Sequence, residues 1–254
     1  MRDFLGQPYN ASAHGAAIDN MMYIIHIFML VLFIGWSIFF IYTLFRFRAG
    51  KNPKGQHAEP KTKIHKQLEI VVILIEVILL VAFSIPLYAK RVAKSEFPKP
   101  SEAVTVRMLG EQFKWHFHYP GPDGVFGKSS VDLVDSQSNP LGLDRDSEGA
   151  ADDVYSPIMY GVVDKPMLIQ LTSRDVIHCL SLPNMRVKQD AMPGMMTPVW
   201  FTPILAGDYE IACAQLCGLG HSTMRGEFKV KTAEEYQTWL DEEVAKLSEE
   251  FDDF

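Results

Sequence analysis

The residues best suited to chemistry lie between positions 213 and 224, in the run Cys213-Ala-Gln-Leu-Cys217-Gly-Leu-Gly-His221-Ser-Thr-Met224. Two thiols, an imidazole and a thioether in twelve residues form a soft donor set. Thiolate and thioether favour copper over hard cations, and a thioether is not a usual ligand of structural zinc. A blue-copper site needs one Cys, two His and a weak axial Met, so a second imidazole must come from elsewhere. His178, in the apolar segment DVIHCLSL, is the natural candidate. A single copper would use Cys217, His221, Met224 and His178 and leave Cys213 idle. Two coppers bridged by both thiolates would employ every soft donor, with Met224 axial on one metal and a backbone carbonyl on the other. The dinuclear reading is preferred. A Cys213–Cys217 disulfide, a zinc site and a core histidine at 178 are the competing readings. Cys179, one residue from His178, should point to the opposite face of its strand as a small buried residue.

These residues need a scaffold, and the sequence supplies two different kinds. Residues 21 to 45 form an unbroken apolar run, longer than the ~20 residues a helix needs to cross a bilayer. The preceding residues lack the basic start and small-residue cleavage site of a secretory signal, so the run is expected to remain as an anchor. A second run, from Leu68 to about Tyr88, also reads as a span, although it holds Glu69 near its start and Glu76 well inside. A carboxylate at membrane depth implies a partner helix or a protonated state, and a proton-handling role for Glu76 weighs evenly against a hydrogen bond to a neighbouring helix. Between the runs, seven Lys and Arg against the single Glu59 place the hairpin loop in the cytoplasm and both termini on the far side. Lys90, Arg91, Lys94 and Lys99 weaken that bias.

From Ala103 onward, short alternating segments broken by Pro, Gly and Asp indicate an all-β sandwich or barrel. The acidic, turn-rich stretch from Val131 to Val154 reads as a long exposed loop. After Lys231, the spacing of Tyr236, Leu240, Val244 and Leu247 predicts an amphipathic helix, with Thr232 as N-cap and Glu235 as its capping-box partner. The expected division is 1–94 for the N-terminal segment and membrane anchor, 95–230 for the copper-binding domain and 231–254 for the acidic helix. A net charge of −7 with no concentrated basic face argues against nucleic acid and for positively charged partners.

Taken with the motifs HKQLEIVV, EQFKWHFHYPG, DVIHCLSLPNMRVKQDAMPG and CAQLCGLGHSTM, this layout resembles subunit II of the haem–copper terminal oxidases, which carries the dinuclear copper centre called CuA. The resemblance implies a cupredoxin-like Greek-key domain. It implies copper ligation by His178, Cys213, Cys217, His221 and Met224, with the backbone carbonyl of Gln215 as the sixth donor. It also implies electrons arriving from cytochrome c or a c-type haem subunit and passing to haem held only in subunit I, where oxygen is reduced with proton translocation. Subunit III is a further implied partner, and the implied location is the bacterial inner membrane with the copper domain on the periplasmic face. Glu69 matches the family's proton-uptake entrance; without the match it would read as a solvated acid at a helix start.

Three positions depart from the family pattern. Gln215 replaces a Glu whose carboxylate reaches a magnesium ion shared with subunit I, which leaves copper binding intact and magnesium doubtful. The electron-accepting surface Trp is replaced by Phe113, with Trp115 two positions on. Glu76 stands where the family often has Pro. Among the exposed acids, those of Asp144 to Asp153 and Asp190 would steer a basic donor or merely keep the domain soluble. A metal-free quinol-oxidase subunit would lack these ligands, a nitrous-oxide reductase would need a large further domain, and a blue-copper carrier or chaperone would hold one copper per chain.

Overall fold

The computed structural model describes residues 6–51 and 63–252, with side chains as far as Leu247, so Lys54, Glu59 and Lys61 of the hairpin loop lie outside the described residues. The chain divides into two compact units, one of Ala17–Arg91 and one that joins the residues up to Ala16 with those from Val92 onward.

The first unit contains two helices, α1 (Gly15–Arg46) and α2 (Ile64–Val92), both long and apolar enough to cross a membrane. At ~1.5 Å per residue they extend roughly 48 and 44 Å, well beyond the ~30 Å hydrocarbon core. Within α2 the segment Leu79–Ser84 is π-helical. Pro86, two residues beyond it, lacks an N–H for the Ala82 carbonyl and crowds it, and a local register shift of the helix absorbs both defects. Glu69 and Glu76 are exposed on α2.

The second unit is a sandwich of two five-stranded sheets. Its strands are β1 (Val104–Glu111), β2 (Lys114–Tyr119), β3 (Val154–Ser156), β4 (Met159–Val162) and β5 (Met167–Ser173), then β6 (His178–Leu182), β7 (Val187–Ala191), β8 (Thr197–Phe201), β9 (Gly207–Cys213) and β10 (Arg225–Lys231). One sheet runs β3-β2-β1-β5-β8 and the other β4-β10-β9-β6-β7. The β1–β5 and β4–β10 pairs are parallel, the other pairs antiparallel. Strict alternation along β1 turns Val104, Val106 and Met108 inward. They meet Phe117, Ile169 and Leu171 of their own sheet and Leu180, Ile211 and Phe228 of the other. Phe201 of β8 and Phe228 of β10 meet edge-on with ring centroids 5.7 Å apart, which ties the two layers together. Each such side chain contributes ~1.5–3 kcal/mol on burial.

Two segments outside the strands complete this unit. Residues 6–14, before α1, lie along it: the Ala11 N–H donates to Asn184 O at 2.8 Å, Ile204 N–H to Ala11 O at 2.9 Å, and the Ser12 hydroxyl to Met185 O at 2.8 Å. The chain ahead of α1 therefore belongs to the same compact unit as the β domain. The excursion between β2 and β3 departs from the expected exposed loop. Val131 at its tip is open to solvent, but Leu141, Leu143, Ala150 and Asp153 are buried. The Asp153 carboxylate faces inward, 2.6 Å from His118 Nε2, and accepts the Gly127 N–H at 2.8 Å. An acid that serves as an internal acceptor looks identical in sequence to one that solvates a loop.

The C-terminal helix α3 (Ala233–Asp252) starts with the expected capping box. Thr232 Oγ1 accepts the Glu235 N–H at 3.2 Å, and Glu235 Oε2 accepts the Thr232 N–H at 2.9 Å. The Thr232 backbone N–H, then its hydroxyl donating to Oε2 at 3.0 Å, hold the Glu235 carboxyl below its ordinary range. The helix is fastened by Trp239, stacked on Tyr160 at 4.1 Å and edge-on to Tyr119 at 5.1 Å. Trp239→Ala should cost roughly half of the ~3–5 kcal/mol typical of a fully buried Trp. In hydrogen-exchange mass spectrometry the α3 amides should lose protection while β1 and β5 keep theirs. Unchanged protection of α3 would show that the ring stack does not hold it.

Candidate metal centre

The site is set by the pairing of β6 with β9. Leu180 lies opposite Cys213 and Ser181 opposite Ala212. In an antiparallel ladder, moving back two residues to His178 moves forward two past Cys213, to the start of the following loop. Because side chains alternate, His178 and Leu180 share the face that carries Cys213. The loop then returns through a 3₁₀ turn at His221–Thr223 into β10, where Arg225 pairs with Ala212. The Cys213 N–H donates to Met224 O at 3.2 Å and closes the loop at its base.

The donor atoms of His178, Cys213 and Cys217 all lie within 4.8 Å of one another, and all three residues are buried. The two sulfurs are 3.9 Å apart and the thiols are free, which removes the disulfide reading, since that bond requires ~2.05 Å. Cys217 Sγ is also 3.6 Å from His221 Nδ1 and 3.8 Å from Met224 Sδ. The Gln215 carbonyl lies 3.2 Å from Cys213 Sγ. All six positions singled out in the sequence therefore converge, although His178 is separated from the loop by the whole of β7 and β8.

The electrostatics suit a metal. His178 is fully buried, and its Nε2 lies 2.8 Å from Asp175 Oδ1. With the proton on Nε2, the nitrogen left over is Nδ1, which is buried and has no hydrogen-bond partner among the described residues. An orphaned imidazole nitrogen beside two thiols would be costly unless a cation fills the space between them. Burial, then the hydrogen bond and charge of Cys213, push the Cys217 thiol up to about 11. A cation is what would bring that thiol to thiolate. Sulfur at ~2.3 Å from a metal allows two sulfurs up to ~4.6 Å apart to share it, so the 3.9 Å spacing fits. The residues present therefore fit copper.

Aromatic and glycine residues form the wall of the site. Trp115 of β2 is buried and meets the His178 ring edge-on at 5.8 Å. Phe113, half-buried in the β1–β2 turn, lies over the loop so closely that a Cβ on Gly220 would come within 2.4 Å of its ring. Gly218 has φ +143°, and a Cβ there would meet Gln112 Nε2 at 2.8 Å. That amide donates to the Cys217 carbonyl at 2.6 Å, and the Gln112 N–H donates to Asp175 Oδ2 at 2.8 Å. Neither Asp175 nor Gln112 was singled out in the sequence. Asp175 had a signal, three residues before a candidate ligand; Gln112 had none.

The chain also matches known proteins. The family model described as cytochrome C oxidase subunit II, periplasmic domain, matches residues 104–230, which holds every donor named above. The chain belongs to the cytochrome c oxidase subunit II family. Subunit 2 of the Cereibacter sphaeroides cytochrome c oxidase is 30% identical over 237 residues, covering 85% of this chain and 73% of that protein. An alternative cytochrome c oxidase subunit 2 of Bradyrhizobium diazoefficiens is 38% identical over 146 residues, covering 57% of this chain and 52% of that protein, so the match spans about half its length. Among solved structures, the periplasmic domain of subunit II of cytochrome oxidase (CoxB) of Bradyrhizobium japonicum is 29% identical, with 59% of this chain and 98% of that one covered and a TM-score of 0.43. As expected of this family, the chain combines two membrane-length helices with a cupredoxin-like β domain that the family describes as periplasmic.

Cys179 takes no part in the cluster. It is buried on the other face of β6, and burial, then Asp190, push its thiol up to about 12. At pH 8 only ~10⁻⁴ of such a thiol is thiolate, the reactive form. Iodoacetamide at pH 8 should therefore leave Cys179 unmodified in the folded, metal-free chain and modify it in denaturant, as read by peptide mass spectrometry. Alkylation of Cys179 in the folded chain would contradict its placement.

Proposed function

We propose that this subunit is the electron-accepting component of a haem–copper terminal oxidase, and that His178, Cys213, Cys217, His221 and Met224, with the Gln215 carbonyl, hold a dinuclear copper centre. The convergence of two free thiols 3.9 Å apart on an orphaned, buried imidazole nitrogen carries this reading. When bound, a dinuclear copper centre held by these residues would supply one-electron transfer. The chain's own residues then do the rest. Burial of Cys213, Cys217 and Met224 excludes water, and the strands hold His178 and the loop at fixed spacing, so that little need move when charge changes.

On this reading, electrons come one at a time from cytochrome c or a c-type haem domain on the periplasmic side of a bacterial inner membrane. They leave to haem in subunit I, with subunit III as a further neighbour. Leu216 and Leu219, exposed on either side of Cys217, offer a donor apolar contact. Exposed Asp146, Glu148 and Asp190 steer a basic one, whereas buried Asp153 does not. Phe113, half-buried over the loop, is the better placed aromatic for receiving electrons at the surface, and buried Trp115 supports His178 from within. Glu69, exposed near the start of α2, serves as a proton-uptake entrance. Gln215 offers no charge for magnesium, so that ion is not part of the proposal.

Electron paramagnetic resonance of the detergent-solubilised, copper-loaded chain tests this. Two coppers per chain and a seven-line hyperfine pattern, from one electron shared by two nuclei, are expected. One copper with a four-line signal would make the site mononuclear and contradict the proposal.

A further inference from the structure

Two residues near the centre are not donors yet bond to the elements that carry them. Asp175 Oδ1 lies 2.8 Å from His178 Nε2 and also accepts the Val176 N–H at 2.6 Å, while Oδ2 accepts the Gln112 N–H at 2.8 Å. The Gln112 side chain then donates to the Cys217 carbonyl at 2.6 Å. One continuous chain of hydrogen bonds thus runs from the imidazole on β6, through the β1–β2 turn, to the peptide of a thiol in the loop.

We propose that Asp175 and Gln112 are positioning residues, Asp175 locking the His178 imidazole in the Nε2–H tautomer and Gln112 coupling that imidazole to the Cys217 peptide. The proposal rests on the copper reading for its consequence, but its geometry does not need the metal.

The physical case has three parts. A carboxylate can only accept, so the imidazole nitrogen facing it must carry the proton, which frees Nδ1 as a lone-pair donor toward the thiols. The carboxylate's negative charge also makes the imidazole a better donor and favours the oxidised form of any metal it holds. Last, β6 and β9 pair at Leu180–Cys213 and Ser181–Ala212, one more bond from the Ala214 N–H to Cys179 O at 2.9 Å reaches the start of the loop, and the contact stops short of Cys217. The Gln112 bond links the loop beyond the ladder's end to the same turn that holds Asp175. Phe113, the next residue, presses on Gly220 from the same turn. The turn thus fixes the loop by one polar and one apolar contact.

A purely structural Asp175 would cap the local turn through Val176, and Asn would preserve that cap while losing the charge. Asp175→Asn is therefore the informative variant, with Glu227→Gln as a control that removes the same charge from β10, where Glu227 pairs with Lys229. In the full chain in detergent, Asp175→Asn should lower copper affinity by ~10–100-fold, measured by chelator competition, and raise the reduction potential of the centre, with Glu227→Gln changing neither. Gln112→Ala should weaken copper binding by ~10-fold, at the low end of that range, with the potential unchanged. Wild-type affinity and potential in Asp175→Asn, or an equal shift in Glu227→Gln, would overturn the role of Asp175. Wild-type affinity in Gln112→Ala would overturn that of Gln112.

The tautomer is read separately in the metal-free chain by ¹⁵N NMR of labelled histidine. His178 should carry its proton on Nε2 in the wild type and become a tautomer mixture in Asp175→Asn. A proton on Nδ1 in the wild type overturns the lock. A wild-type chain that binds no copper overturns the functional reading instead, and leaves the NMR result to decide the tautomer lock.

Discussion

Everything in the site depends on one short antiparallel contact, the pairing of Leu180 with Cys213 and of Ser181 with Ala212. It brings an imidazole from the middle of the domain to a loop that would otherwise hold only soft sulfur donors and His221. The contact is buried on its inner face, with Leu180 and Ile211 in the core, so its register is firmly specified. A slip of one residue would send every side chain of the strand to the opposite face. His178 would then point away and Cys179 would take its place. The same alternation that makes the core thus selects which of two adjacent residues can donate to a metal.

Around this contact the site is rigid by subtraction as much as by bonding. Gly218 and Gly220 leave no room for a Cβ, and Phe113 and Gln112 occupy the space. The loop therefore cannot relax outward without losing both a ring contact and a carbonyl hydrogen bond. Free thiols held 3.9 Å apart by this framework have the spacing a shared metal needs. The membrane helices form a separate compact unit, and the arm of residues 6–16 belongs with the β domain.

How far the sequence revealed this varied with the range of the interaction. The loop donors were legible because two Cys, His and Met fall in twelve contiguous residues. His178 was legible because the donor set calls for a remote imidazole and this one sits in an apolar segment upstream of the loop. The capping box of Thr232 and Glu235 and the two spans were also local patterns. What escaped depends on contacts between distant parts of the chain. Nothing in residues 6–16 signals that Ala11 bonds to Asn184 and Ile204. The acids of the 131–154 stretch read as solvated, yet Asp153 is an internal acceptor beside His118. Gln112 reads as an ordinary turn residue until its amide is found on the Cys217 carbonyl, 105 positions away. Alternation predicted which faces are buried, but not which distant loop covers them.

The claim on which the rest turns is that the strand-borne imidazole and the two loop thiols enclose a pair of metals. Anomalous diffraction at the copper absorption edge, on crystals of the copper-loaded full-length protein, locates the metals directly. Two resolved peaks are expected, both between Cys213 and Cys217, one nearer His178 and the other nearer His221. A single peak, or copper found only away from His178, would contradict the arrangement.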